Sequence, residues 1–206
     1  MKFIITAGPT REHIDPVRFL SNPSTGKMGF AVAAEAARRG HETVLVAGPV
    51  NLRTPSGVRR IDVVSAREML AAVKNEVVDG AVFVGVAAVA DFRPAVSFDK
   101  KQKKSAMTGE LKLVRNPDIL KSLKSVSVTR VGFAAETNDV LAEASRKCRE
   151  KNLKFIVAND VLAKGSGFGV STNRVTFVYP DGSLKKFPLM SKRRVAERIL
   201  DEIDRA

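Results

Sequence analysis

The sequence predicts an α/β fold, a Rossmann-like doubly wound parallel sheet with helices on both faces and a small β-hairpin near the C-terminus. Three observations predict it. Short apolar runs alternate with amphipathic helical patterns along the chain, as in a parallel sheet built from crossover units. One of those runs, Ala81–Val86, is apolar throughout, as a strand covered on both faces must be. Near the end, Pro180-Asp181-Gly182 separates two short strand patterns, a hairpin signal.

The elements follow in order. Phe3–Ala7 reads as a buried first strand, followed by a long polar loop from Gly8 to Asn22. An Ala-rich helix runs from about Gly26 to Arg39, with Gly40 as its stop. Glu42–Ala47 is the second strand and Ile61–Val64 the third. Ser65 and Glu68 have capping-box spacing, and Met69, Leu70, Val73 and Val77 share one face of the helix that follows. After the fourth strand, residues 92–110 contain Pro94, Gly109 and five Lys or Arg, and read as a flap. Leu111–Val114 is an edge strand, and Asn116 caps a helix beginning at Pro117. Val131–Ala135 and Phe155–Ala158 are further strands, separated by a helix over Asn138–Lys151. A Gly-rich loop over 164–173 leads to the hairpin, at about 174–188. The last helix, about 192–204, buries Val195, Ile199 and Ile203. With no internal repeat and no linker, the 206 residues read as one domain.

Composition bounds the chemistry. A hydrophobic content of 44% supports a packed core, which argues against disorder. The single Cys148 excludes a disulfide framework and a multi-cysteine zinc site, and the two histidines, His13 and His41, make a histidine-rich metal site a poor reading. No apolar run approaches the roughly 20 residues that span a bilayer, and the N-terminal segment breaks too early for a signal peptide. The expected location is the cytoplasm. The formal charge is +13, and it is concentrated in three windows: 98–124, 146–154 and 185–198 carry +14 together, and the remainder −1. Such a local basic excess calls for an anionic partner.

Several familiar motifs fail. Ala7-Gly8-Pro9-Thr10 after the first strand contains no dinucleotide fingerprint. Gly165, Gly167 and Gly169 open no helix and read as a surface loop, while Tyr179 has Ser183 rather than Lys four residues on. Ser24-Thr25-Gly26-Lys27 is not a Walker loop, because Ser21 and Met28 occupy two of its required positions. A Ser/Thr/Gly-rich turn entering a helix can still hold phosphate through free N–H groups. An ordinary N-cap by Ser24 or Thr25 explains it equally well.

Four segments do not fit a purely structural role. They are Ile5–Glu12 with Asp15–Asn22 and Ser24–Gly29; Ala87–Pro94 leading to Lys101-Gln102-Lys103-Lys104; Asn116–Leu120; and Val131–Asn138 with Val157–Asp160. Together they closely resemble the bacterial phosphopantothenate–cysteine ligases of coenzyme A biosynthesis, over nearly the whole chain and in order. The resemblance implies a CTP- and Mg²⁺-dependent reaction. The carboxylate of 4′-phosphopantothenate becomes an acyl cytidylate with release of pyrophosphate; the amine of L-cysteine then displaces CMP. Such steps need cations and positioning more than a protein nucleophile.

By the same resemblance, Asn22 orients the acyl-nucleotide intermediate, although by itself Asn22 before Pro23 is a plain turn residue. Lys101 becomes the flap lysine over the reacting phosphate. Gly85, Val86, Ala87 and Asp91 lie against the nucleotide, Pro117, Asp118, Ile119 and Leu120 form the helix start that contacts the triphosphate and the nucleotide, and Phe133 packs on the base. Lys147 and Lys151 share one helical face and bind nucleotide; Cys148 between them is expected to be non-catalytic, with its pKa lowered somewhat by neighbouring cations. Ser24, Thr25, Gly26 and Lys27 form the substrate-phosphate loop. No metal ligands are identified.

Two departures are mild: Gln102 stands where an apolar residue is common, and Thr25 where the family has Ser. The chain opens directly on its first strand, whereas the ligase commonly follows a flavin-dependent decarboxylase. The resemblance therefore implies a stand-alone or excised ligase without a flavin site, able to associate with such a decarboxylase. It also implies a homodimer whose flap and hairpin region serve the partner's site. Two other readings remain open: an ATP-using homologue, and a basic nucleic-acid-binding protein, for which the aromatic interleaving is poor.

Overall fold

Alternation of large apolar residues along each strand divides the core into two layers. The computed structural model describes residues 1–103, 109–136, 140–160 and 165–205. In β1 (Lys2–Ala7), Phe3 and Ile5 face one layer and Ile4 the other, and all three are fully buried. β1 pairs in parallel with β4 (Glu42–Ala47) on one side and β6 (Val82–Gly85) on the other. Beyond β4 lies β5 (Val58–Asp62), and beyond β6 come β9 (Thr129–Glu136) and β10 (Phe155–Asp160), all parallel. β11 (Thr172–Asn173) pairs with β14 (Met190–Ser191) apart from this sheet, and β12 (Val175–Val178) and β13 (Leu184–Lys186) complete the eight-stranded sheet as an antiparallel hairpin. The six parallel strands follow the doubly wound order, in which the chain reverses its direction of travel across the sheet between β1 and β6.

Helix α1 (Lys27–Arg38) and helix α5 (Lys192–Asp204) cover one face, burying Phe30, Val32, Ala33 and Ala36 against Val195, Ile199 and Leu200. Gly29 permits the contact of α1 with β1: a Cβ there would lie 2.5 Å from that of Ala7. Arg39 joins the two helices, reaching Glu35 at 2.8 Å, Asp201 at 2.7 Å and Asp204 at 2.9 Å. The other face is covered by α2 (Ala66–Glu76), by the single turn α3 (Ile119–Ser122) and by α4 (Val140–Glu150). Ser65 caps α2 as its spacing predicts, its Oγ accepting from the Glu68 amide at 3.2 Å.

Four expectations change. The loop from Gly8 to Asn22 contains a ribbon, β2 (Arg11–His13) with β3 (Phe19–Ser21). Its turn is closed by the buried carboxylate of Asp15, which accepts from the amides of Val17 and Arg18, both at 2.9 Å. The third strand ends at Asp62, because Ser65 already serves the next helix as cap. The strand expected at Leu111–Val114 is β8 (Leu113–Arg115), and it pairs with β7 (Phe92–Pro94) in a ribbon apart from the main sheet. The two ends of the expected flap are thus zipped together; residues 104–108 lie outside the described ones. Finally, Asp118, not Asn116, caps α3, accepting from the Lys121 amide at 3.0 Å. Asn116 is engaged elsewhere, its Nδ2 donating to the Ala90 carbonyl at 2.8 Å. The hairpin and the final helix fall where expected. The expected start of the fourth helix, at 138–139, lies outside the described residues.

Candidate active site

Where a doubly wound sheet reverses its strand order, the loops on either side diverge and leave a crevice beyond the carboxyl ends of the strands. Here the loop after β6 is tied across that point. Thr6 Oγ1 on β1 accepts from the amides of Val86 and Ala87, both at 3.2 Å, and Thr10 Oγ1 accepts from the Ala90 amide at 3.0 Å. Asn22 Nδ2 donates to the Ala88 carbonyl at 3.1 Å. The Asn116 amide donates to the Asp91 carbonyl at 2.8 Å. Segment 85–91 is therefore held from both sides, with the Asp91 side chain exposed.

Across the crevice stands the N-terminus of α1. Gly26 adopts φ +78°, a conformation that glycine takes without strain, and no side chain caps the helix. Ser24 and Thr25 therefore do not act as the N-cap; Ser24 Oγ accepts only the Gly26 amide, at 3.4 Å. A helix start left uncapped keeps N–H groups and the positive end of the helix dipole available to an anion. Lys27 Nζ donates to the Gly169 carbonyl.

These elements enclose a cavity of about 710 Å³. Asn22 and Ser24, Thr25, Gly26 and Lys27 line one wall; Gly85, Val86, Ala87 and Asp91 line another. Pro117, Asp118, Ile119 and Leu120 come from the start of α3, Phe133 from β9, and Lys147 and Lys151 from α4 and its end. Residues expected at the site from sequence positions 22 to 151 are thus brought to one place. Lys101 is the exception: it is exposed and outside the lining. Its loop is held instead to the β2–β3 turn. The Gln102 amide donates to Asp15 Oδ2 at 3.2 Å, Arg18 donates to the Gln102 carbonyl at 3.2 Å, and the Phe98 amide to the Ile14 carbonyl at 2.9 Å.

The cavity is basic. Six Lys or Arg and three Asp or Glu line it among the described residues. Lys151 Nζ meets Asp118 at 2.8 Å. Burial works to raise the Asp118 carboxyl, but the Lys151 ammonium and the Lys121 amide outweigh it and hold the group below its ordinary value. Lys192, at the start of α5, is only 7% exposed, donates to the Gly167 carbonyl at 3.0 Å, and pairs with no carboxylate among the described residues. Burial first, and then the neighbouring charge of Lys27, lower its pKa. An ammonium group in that position gains from any anion entering the cavity.

Sequence reasoning missed Lys192, which belongs to the basic window 185–198, from which no site residue was expected. It also missed Gly167 and Phe168, which line the cavity although the alternating glycines read as a surface loop; Gly167 is buried. Ser166 Oγ lies 2.8 Å from Asn159 Oδ1 and 2.6 Å from Asn173 Oδ1, fixing this loop against β10. The only signal for it was Asn159, within the Val157–Asp160 segment. Cys148 is corrected in the other direction. It is buried, its thiol donating towards the Val178 carbonyl at 3.5 Å, and burial pushes its pKa up to about 11 rather than letting cations lower it. Burial thus disfavours the thiolate, the form in which a cysteine acts as a nucleophile.

No group of three or more His, Cys, Asp or Glu arranged to hold a metal occurs among the described residues. No helix among them is long and apolar enough to cross a membrane.

Comparison with known proteins agrees with the fold. The chain is 48% identical over 209 residues to the coenzyme A biosynthesis bifunctional protein CoaBC of Escherichia coli K12, covering 98% of this chain and 51% of that protein. Against CoaBC of Bacillus subtilis 168 it is 49% identical over 203 residues, covering 97% and 50%. The chain therefore spans about half the length of these curated relatives. A crystal structure of the C-terminal domain of CoaBC superposes with a TM-score of 0.82 at 42% identity, covering 98% of this chain and 93% of that one. The fold also matches the DNA/pantothenate metabolism flavoprotein of Streptococcus pneumoniae, with a TM-score of 0.80 at 22% identity and 98% of both chains covered. The model of the DNA/pantothenate metabolism flavoprotein C-terminal domain, DFP, matches residues 1–206, and the chain belongs to that family.

Proposed function

We propose that residues 1–206 form one phosphopantothenate–cysteine ligase domain acting in coenzyme A biosynthesis in the cytoplasm. The observation that carries this reading is the assembly of Asn22, the Ser24–Lys27 loop, segment 85–91, the start of α3, Phe133, Lys147 and Lys151 around one basic cavity. In the first step a carboxylate oxygen of 4′-phosphopantothenate attacks the α-phosphorus of CTP, and pyrophosphate leaves. In the second, the amine of L-cysteine attacks the acyl carbon; the amide forms, the C–O bond to CMP breaks, and the amine loses a proton.

Both steps spread negative charge over phosphate oxygens. Lys27, Lys147, Lys151 and Lys192 and the uncapped amides of α1 supply fixed positive charge for it. Phe133 and Leu120 offer apolar surface to the base, and the amide of Asn22 stands at the turn where the acyl group would pass. Mg²⁺ would enter with CTP: it binds readily through phosphates, water and one or two carboxylates. The exposed Asp91 on the cavity wall suits that sparse donor set. Mg²⁺ would neutralise phosphate charge.

Lys101 is assigned to the reacting phosphate in this reading, in the cavity of this subunit or of a partner's. A homodimer is supported by exposed Phe19, Phe92, Phe98 and Leu113, which lie on or beside the two ribbons. Association with a flavin-dependent decarboxylase is part of the same proposal, supported by the chain's spanning about half the length of its bifunctional relatives; no flavin site is proposed on this chain. The test is pyrophosphate release from CTP or ATP with 4′-phosphopantothenate, Mg²⁺ and L-cysteine. CTP is the expected nucleotide, and absence of pyrophosphate with both would overturn the reading.

A further inference from the structure

A second hollow, of about 410 Å³, lies at the opposite end of the sheet, where β6, β9 and β10 begin. Gly80, Lys124, Ser127, Thr129, Arg130 and Asn152 line it. None of the lining residues is acidic. Arg130, the second residue of β9, is only 5% exposed. Its Nη1 donates to the Leu123 carbonyl at 2.9 Å, while its buried Nε has no hydrogen-bond partner. No carboxylate pairs with it among the described residues, and Nη2 makes no hydrogen bond there either. A buried guanidinium without a counter-charge is unfavourable, and its fixed fork matches two oxygens of one oxyanion. Nε and Nη2 form one such edge of the group. Lys124 adds a second cation on the exposed rim, and Ser127, Thr129 and Asn152 add neutral hydrogen-bonding groups.

We propose that this hollow is a second anion site, distinct from the candidate active site, which takes a phosphate-type oxyanion on the Arg130 guanidinium. The partner is a free phosphate ion or the phosphate group of a small ester; the chemistry of recognition is the same. The site does not depend on the proposed ligase activity.

The experiment is a titration with inorganic phosphate, and in parallel with glycerol phosphate, at constant ionic strength. The readouts are the amide resonances of Ser127, Thr129 and Asn152 and the Arg130 Nε–H resonance. A saturable shift of these signals is expected, weakened at least about tenfold in Arg130→Met, since hydrogen bonds to charged groups are being removed. Tighter binding of the ester would assign the site to a phosphorylated metabolite, and equal binding to the free ion. Lys124→Gln leaves the core untouched and should weaken binding about two- to fivefold, which keeps the test valid if Arg130→Met misfolds. Signals that stay still in the wild-type protein, or that move equally in both variants, would overturn the proposal.

Discussion

Replacement of Lys192 by Met separates a binding role from a structural one. The change removes the ammonium group and keeps most of the apolar stem. For stability, opposing effects nearly cancel. The Gly167 carbonyl loses its donor at 3.0 Å, which costs about 1–2 kcal/mol. The fold is relieved of a buried ammonium whose pKa is depressed by burial and by Lys27, a gain of similar order. The net change should stay within about 1 kcal/mol, a few degrees in Tm. For activity nothing cancels: a cation facing phosphate oxygens is worth about 1.5–3 kcal/mol, so kcat/KM should fall about ten- to a hundredfold. The assay is coupled pyrophosphate release alongside thermal unfolding. The sign of the pH effect adds a second check. Because its pKa lies below that of an ordinary lysine, the group loses its proton earlier as pH rises. Wild-type activity should therefore decline on the alkaline side, and Lys192→Arg should move that limb upward. The same shift means the unfolded chain holds the proton more tightly, so the penalty to folding is present at neutral pH and relieved as pH rises. A Lys192→Met enzyme with unchanged kcat/KM, or one whose activity loss follows a large fall in Tm, would refute the reasoning.

Three further outcomes are expected. Asn22→Asp replaces the donor to the Ala88 carbonyl by an oxygen; it should still release pyrophosphate but accumulate acyl nucleotide, detectable by rapid quench, and equal loss of both steps would count against the role. Lys101→Gln should lower kcat far more than it weakens CTP binding measured by calorimetry, whereas a parallel loss would place Lys101 in ground-state binding. Asp15 is held well below the usual carboxylate range, first by the Arg18 guanidinium and further by the amides of Val17, Arg18 and Gln102, against the opposing effect of burial. Its contribution is present above the ordinary Asp pKa and lost as pH falls through the folded-state value. Asp15→Asn should flatten the acid limb of a stability–pH curve, and an unchanged limb would dismiss the linkage.

The comparison of sequence with structure is clearest at individual residues. The main strands were legible because Phe3, Ile5, Val84 and Val157 stand in short apolar runs that only a covered sheet can bury. The β2–β3 ribbon was not, because Arg11, Glu12 and His13 are polar and their pairing rests on a turn built by one carboxylate. The cap of α3 was misassigned because Asn116 and Asp118 are both good caps locally, and the Ala90 carbonyl decided between them.

Periodicity in the sequence thus determined the α/β class, the α2 cap and the final helix, since local spacing and apolar burial act over a few residues. The family resemblance supplied most of the residues now found around the cavity. Tertiary structure alone decided that Lys192 and Gly167 line one cavity with Lys27, which precedes them by at least 140 positions. It alone left Lys101 outside, tied to Asp15 through its neighbour. Charge and burial at a point in space depend on which distant segments the sheet order brings together, and no local pattern in the chain encodes that.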